Sequence, residues 1–145
     1  GTIDEVRDYI EGLKLHLCHW FTVDDLFHLK RGGRVSAATA ILGSALNVKP
    51  VLHVDDEGHL INVSKVRGRA ASIKALFQRM TETGTDIAGQ TVYISHGDCE
   101  ADALKLRDLV SQAGVKNIVI NPIGPVIGAH SGPGTLALFF IGTHR

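Results

Sequence analysis

Apolar residues at Val6, Tyr9, Ile10 and Leu13 mark one face of a helix, and Thr2 with Glu5 three positions on forms a capping box ahead of them. In "LHLCHW", Leu15 and Leu17 alternate with His16 and Cys18, the rhythm of a strand. The stretch "FTVDDLFHLKRGG" predicts a second helix: Thr22 caps it, Asp25 takes the third helical position, and Phe21 staples against Leu26. Gly32 and Gly33 stop it. From Ser36, "SAATAILGSALN" predicts a further helix of small residues punctuated by Ile41, Leu42 and Leu46, which suits close approach to another element.

"KPVLHVDDEGHLINV" reads as a β-hairpin turning at Gly58. An amphipathic helix follows through Ile73, Leu76, Phe77 and Met80, ended by Gly84. The last third changes rhythm. "QTVYIS" is a strand, Asp98 caps the helix "CEADALKLRDLVSQAG", and "KNIVIN" is the next strand, which together make a βαβ unit with a right-handed crossover. A loop, "GPVIGAHSGPG", leads into the buried strand "TLALFFIG". The expected architecture is α/β or α+β, a mixed β-sheet of about six strands with four or five packed helices.

Composition narrows the class. A chain of 145 residues, 44% hydrophobic, suits one domain with one core. No apolar run approaches the roughly 20 residues of a membrane span, and the N-terminus carries no signal-peptide pattern. Fifteen basic residues balance fifteen acidic ones, which argues against nucleic acid as a partner. Two cysteines, Cys18 and Cys99, are too few for a disulfide scaffold; one bridge is possible, and two reduced thiols in the cytoplasm is the plainer reading.

Ligands of a βαβ unit sit beyond the carboxyl ends of its strands, so Ser95, His96, His130 and Ser131 are expected to converge at one edge. Glycines in "GAHSGPG" let backbone N–H groups approach an anion, and His130 adds a donor, which points to a carboxylate or phosphate at Gly128, Ala129, His130 and Ser131. The competing reading is a turn histidine satisfied by backbone carbonyls. In "KRGGR", Arg34 can pair with an acid or orient a histidine, whereas Lys30 and Arg31 read as solvated charges at a helix end.

Other chemistries are weakly supported. "HLCH" alternates along a strand and "HGDC" straddles a helix cap, and no second ligand pair follows at finger spacing, so no metal site is assigned. There is no G-x-S-x-G elbow, Walker loop or dinucleotide fingerprint. Lys65, Arg67 and Arg69 form a basic trio that reads as a solvated face or as a docking patch for an acidic partner.

Five collinear stretches, "FTVDDLFHLKRGGRVS", "NVKPVLHVDDEGHL", "KVRGR", "ISHGD" and "GPVIGAHSGPGTLALFFIG", resemble the C-terminal domain of the DegV family from about Trp20 to Gly142. The resemblance implies that residues 1–145 are one domain of a bacterial two-domain protein whose N-terminal domain is absent from this chain. It further implies a long-chain fatty acid as ligand, no cofactor, and a partner fatty acid kinase that phosphorylates the bound carboxylate. On that reading the chain is cytoplasmic and not an enzyme. The family's loop histidine falls on His130 and its "RGGR" arginine on Arg34, both in the polar network around the carboxylate.

Half of such a site binds weakly, because each CH₂ left unburied forfeits about 0.8 kcal/mol. For the apolar lining, the small-residue helix offers the stripe Ala37, Ile41 and Ala45, which equally suits ordinary core. Two readings from other classes stand beside the carrier: a small enzyme using His130 or His96 as acid–base on an anionic substrate, and an interaction module without a ligand.

Overall fold

A computed structural model describes residues 1–36, 40 and 47–145. In chain order the elements are α1 (Ile3–Leu13), β1 (Leu17–Thr22), α2 (Leu26–Arg31), β2 (Val48–Val54), β3 (Leu60–Arg67) and α3 (Arg69–Thr83). There follow β4 (Thr91–His96), α4 (Glu100–Gln112), β5 (Asn117–Pro122), α5 (Pro125–Ser131) and β6 (Leu136–Ile141). The expected small-residue helix, with Ala37, Ile41, Leu42, Ala45 and Leu46, lies outside the described residues.

The six strands form one sheet in the order β3-β2-β1-β6-β4-β5. Only β4 and β5 run parallel, joined by α4 as the expected βαβ unit; the other neighbours are antiparallel. The architecture is therefore α/β with a mixed sheet. The last strand, β6, lies between β1 and β4, and Leu136, Leu138 and Phe140 on it are almost wholly buried. This run of apolar residues in "LALFFI" is what a strand covered on both faces requires.

The two faces differ. Against one, α3 and α4 pack Ile73, Leu76, Met80, Leu106 and Val110 onto the sheet, giving the larger core cluster. On the other, a smaller cluster joins Phe21, Leu52 and Ala137 to Leu26 and Leu29 of α2. Further along that second face Tyr93 stays 50% exposed and Val119 37%, so the sheet is only part covered there by described residues.

Three local expectations are corrected. The alternation in β1 has the opposite phase: Cys18 and Trp20 are buried and Leu15 is exposed. Phe21 and Thr22 end β1 rather than starting a helix, because Phe21 pairs with Leu52 and Ala137; Asp25 is the cap of α2, its Oδ1 accepting the Phe27 N–H at 2.8 Å. The cap of α4 is Cys99, not Asp98. The Cys99 N–H donates to His96 Nδ1 at 3.3 Å, while Asp98 sits in the left-handed region at φ 53°. The capping box of α1 forms as read, Glu5 N–H donating to Thr2 Oγ1 at 3.2 Å.

Both cysteines are free, and burial pushes the Cys18 thiol up to about 11 against the opposing charge of Arg145. The basic trio is also split. Arg69 is not part of a solvated face: its Nε donates to Asp102 Oδ2 at 2.9 Å, its Nη2 donates to the Gly134 carbonyl at 2.6 Å, and its Nη1 lies 3.6 Å from Asp24 Oδ1.

Burial disfavours ionised Asp102, but the hydrogen bonds and charges of Arg69 and Lys105 outweigh it and hold the carboxyl below the ordinary aspartate range. A depressed folded-state pKa contributes stability that is complete above the unfolded value of about 3.9 and fades as pH falls through the folded value. Asp102→Asn is therefore expected to cost about 2 kcal/mol at neutral pH, a charge-assisted hydrogen bond's worth. The gap from wild type should close as acid is added; thermal melts across pH check this.

Candidate functional site

The segment read as a glycine loop folds instead into α5, a helix of seven residues. Pro125 occupies its first turn, where a missing N–H costs nothing, and Gly132 ends it at φ 82°, its N–H donating to the Gly128 carbonyl at 2.8 Å. His130 thus projects from the last turn of a helix rather than from a loop.

Helices α2 and α5 meet through a reciprocal pair of contacts. A Cβ on Gly32, at the end of α2, would lie 2.2 Å from His130 Nδ1. A Cβ on Gly132, at the end of α5, would lie 2.7 Å from the His28 ring. Each helix ends in a glycine against which the other helix lays an imidazole. Arg34 joins this contact: its Nη1 donates to the Gly32 carbonyl at 2.6 Å.

The turn after α5 is tied to the end of β4. Gly134 N–H donates to the Gly97 carbonyl at 2.7 Å and Gly97 N–H to the Thr135 carbonyl at 2.8 Å. These bonds bring Ser95, Thr135 and α5 to the edge where the parallel strands end.

A cavity of about 590 Å³ opens between this edge and the second face of the sheet. Phe21, Leu29, Ala137, Phe139, Val54 and Leu60 supply much of its apolar wall. Val126 and Ile127 of α5 border it while remaining 72% and 61% exposed. Arg34, Ser95, His130, Ser131 and Thr135 are polar members of the lining, and so is His19.

Of the sequence-predicted residues, Arg34, Ser95, His130 and Ser131 meet in this cavity. His96 does not line it, its Nδ1 being engaged with the Cys99 N–H. Gly128 is half-buried against Ile123 and Ala129 is exposed, and neither lines the cavity; Ile41 lies outside the described residues.

Hydrogen bonding then separates donors from bystanders. The Ser131 hydroxyl is buried and donates to the Ile127 carbonyl at 3.0 Å, and the Thr135 hydroxyl donates to the Gly132 carbonyl at 2.8 Å. Their protons are committed. His130 and Ser95 make no side-chain hydrogen bond among the described residues, and Arg34 commits one N–H of its five. The arrangement can therefore offer several donors to an anion at the mouth of an apolar cavity. Sequence reasoning missed His28 and His19, whose roles depend on helix and strand contacts that no local motif announces.

The family model described as "Uncharacterised protein, DegV family" matches residues 1–143. The chain belongs to the DegV family. A DegV domain-containing protein of Clostridium perfringens is 48% identical over 142 residues, an alignment covering 97% of this chain and 49% of that protein. Among solved structures, the fatty acid binding DegV family protein of Streptococcus agalactiae superposes with a TM-score of 0.81 at 31% identity, covering 99% of this chain and 50% of that one. A DegV family protein from Thermus thermophilus, described by its fatty acid binding, gives 0.81 at 30% identity over 98% of this chain and 51% of its own. This DegV chain spans about half the length of the curated relatives it matches.

Gly32→Ala tests the reciprocal packing. The backbone at Gly32, φ −79°, accepts alanine, but the new Cβ would lie 2.2 Å from His130 Nδ1, so overpacking should cost about 1–3 kcal/mol. The added methyl must turn the His130 ring aside, and the imidazole resonances of His130 in NMR spectra should shift while those of the β6 core stay in place.

Proposed function

We propose that this DegV chain is the C-terminal half of a two-domain bacterial carrier of long-chain fatty acids, working in the cytoplasm. The carrying observation is the 590 Å³ cavity, apolar along its walls and bordered by the donors of His130, Arg34 and Ser95. Its volume lies in the range of small-molecule sites, and apolar walls with a few convergent polar groups suit a ligand that is mostly hydrocarbon with one charged end. Fatty acid binding by the Streptococcus agalactiae and Thermus thermophilus relatives supports the same ligand class.

In this reading His130 donates an N–H to the carboxylate, and Arg34, braced on the Gly32 carbonyl, balances its charge. Ser95 supplies a third donor. Ser131 shapes the wall rather than gripping the head group, since its proton is given to Ile127. The missing N-terminal domain supplies the remaining contacts and closes the open side of the cavity. A fatty acid kinase then phosphorylates the presented carboxylate, and the carrier itself leaves its cargo unchanged. Lys65 and Arg67 belong to the kinase-facing surface; Arg69, engaged with Asp102 and Gly134, does not. The small enzyme with His130 or His96 as acid–base ranks second, because the cavity wall is mostly apolar and suits a hydrocarbon chain.

Two measurements check this. Full-length protein purified from cells and extracted with organic solvent should release fatty acid by mass spectrometry; empty preparations from several sources would overturn the reading. His130→Ala in the full-length protein should lower kinase-dependent phosphorylation of the bound acid about tenfold, the equivalent of one charge-assisted hydrogen bond, with a smaller loss of acyl binding. Equal loss of both would remove His130 from the head-group site.

A further inference from the structure

Sheet register sets His19 apart from the polar edge of the cavity. Ser95 lies opposite Ala137, and Ala137 opposite Phe21, in one cross-strand row. Two residues back along the strands, Tyr93, Phe139 and His19 form the next row on the same face. His19 is thus two strands across and two residues along from Ser95, about 12 Å away at ordinary strand spacing and rise. Its ring meets Phe139 edge-on, with centroids 5.4 Å apart, and Val54 and Leu60 lie in the same cavity wall.

A half-buried imidazole in an apolar trough calls for a physical reason. The His19 side chain makes no hydrogen bond among the described residues. Burial lowers its pKa, and the nearby charge of Arg145 lowers it further, so the ring is neutral at physiological pH. A neutral imidazole carries one N–H and one accepting nitrogen. A plain hydrocarbon laid over it would strip water from both and return nothing, which is the costly way to bury a polar group. An alcohol oxygen accepts from the N–H or donates to the bare nitrogen, and so removes that penalty.

We propose that His19 is a second polar subsite of the cavity, which recognises a hydroxyl group carried part-way along the acyl chain. The preferred cargo is then an oxygenated long-chain fatty acid, held at its head by the His130 edge and along its length by His19. This rests on the fatty-acid reading above, and sharpens it to a substrate class.

Titration calorimetry on the full-length protein compares 10-hydroxyoctadecanoic acid with octadecanoic acid, in wild type and in His19→Phe, which keeps a ring without its nitrogens. Dividing the affinity ratio in wild type by that in the variant cancels the two acids' different solubilities. The expected quotient is about tenfold in favour of the hydroxy acid, the effect of one buried hydrogen bond. His19→Phe should bind octadecanoic acid at least as tightly as wild type, which also shows that the variant is folded. His19→Leu, smaller and equally apolar, should repeat the result if phenylalanine overfills the trough. A quotient near one in both variants overturns the proposal while leaving the fatty-acid reading intact. Failure of wild type to bind either acid overturns both.

Discussion

Arg69 reaches from the first turn of α3 to Asp102 on α4, to Asp24 just ahead of α2, and to the Gly134 carbonyl just ahead of β6. Lys49 of β2 adds a second cation to Asp24 at 3.1 Å. The guanidinium and Asp102 are largely withdrawn from water, with 19% and 21% of their side-chain surface exposed. A pair of this kind owes its value to geometry, since desolvation offsets much of the attraction and loss of one partner strands the other. Here the geometry is useful. The turn held by Arg69 follows directly on the helix bearing His130, and Asp24 immediately precedes Asp25, the cap of the helix that ends at Gly32. One cation, placed behind the sheet edge, fixes the relative position of both walls of the polar end.

Within that frame the glycines act by absence of bulk. Gly32 and Gly132 let two imidazoles lie against the opposite helix end, and Gly134 leaves room for the Asp24 carboxylate, which a Cβ would meet at 2.2 Å. Gly132 and Gly134 also adopt positive φ, so a side chain there would be strained even without the neighbour. The density of glycine around His130 is thus a packing requirement between helices rather than a flexible cradle for an anion. It places the imidazole at a cavity edge with its nitrogens unspent, while neighbouring hydroxyls on Ser131 and Thr135 are consumed in holding the backbone.

Much of the fold was legible because its signals are local. The capping box at Thr2, the hairpin at Gly58, the periodicity of α3 and the βαβ unit all depend on residues close in sequence. The departures have different causes, and pairing across the sheet is one of them. Thr22 has a capping residue's hydroxyl, yet β1 takes it because Leu136 and Phe21's partners extend the ladder that far. His96 sits at a strand end where a ligand is expected, and its Nδ1 accepts the N–H of Cys99, the cap of the next helix. For α5 the signals existed, proline at the start and glycine at the stop, but glycines at both caps and at Gly128 make so short a segment read as a loop. Of the site, His130, Arg34 and Ser131 came from motifs; His19 required knowing which strands stand side by side.

α1 has a capping box, intrahelical ion pairs between Arg7 and Asp4 and between Lys14 and Glu11, and no buried residue at all. An eleven-residue helix with no buried side chain is shorter than most peptides that stay helical in water. Exposed pairs on its surface add only tenths of a kilocalorie each. Its apolar stripe of Val6, Tyr9 and Ile10 meanwhile faces solvent. The helical order of this segment therefore leans on its capping box and local ion pairs, and shelter for those three side chains would add to it.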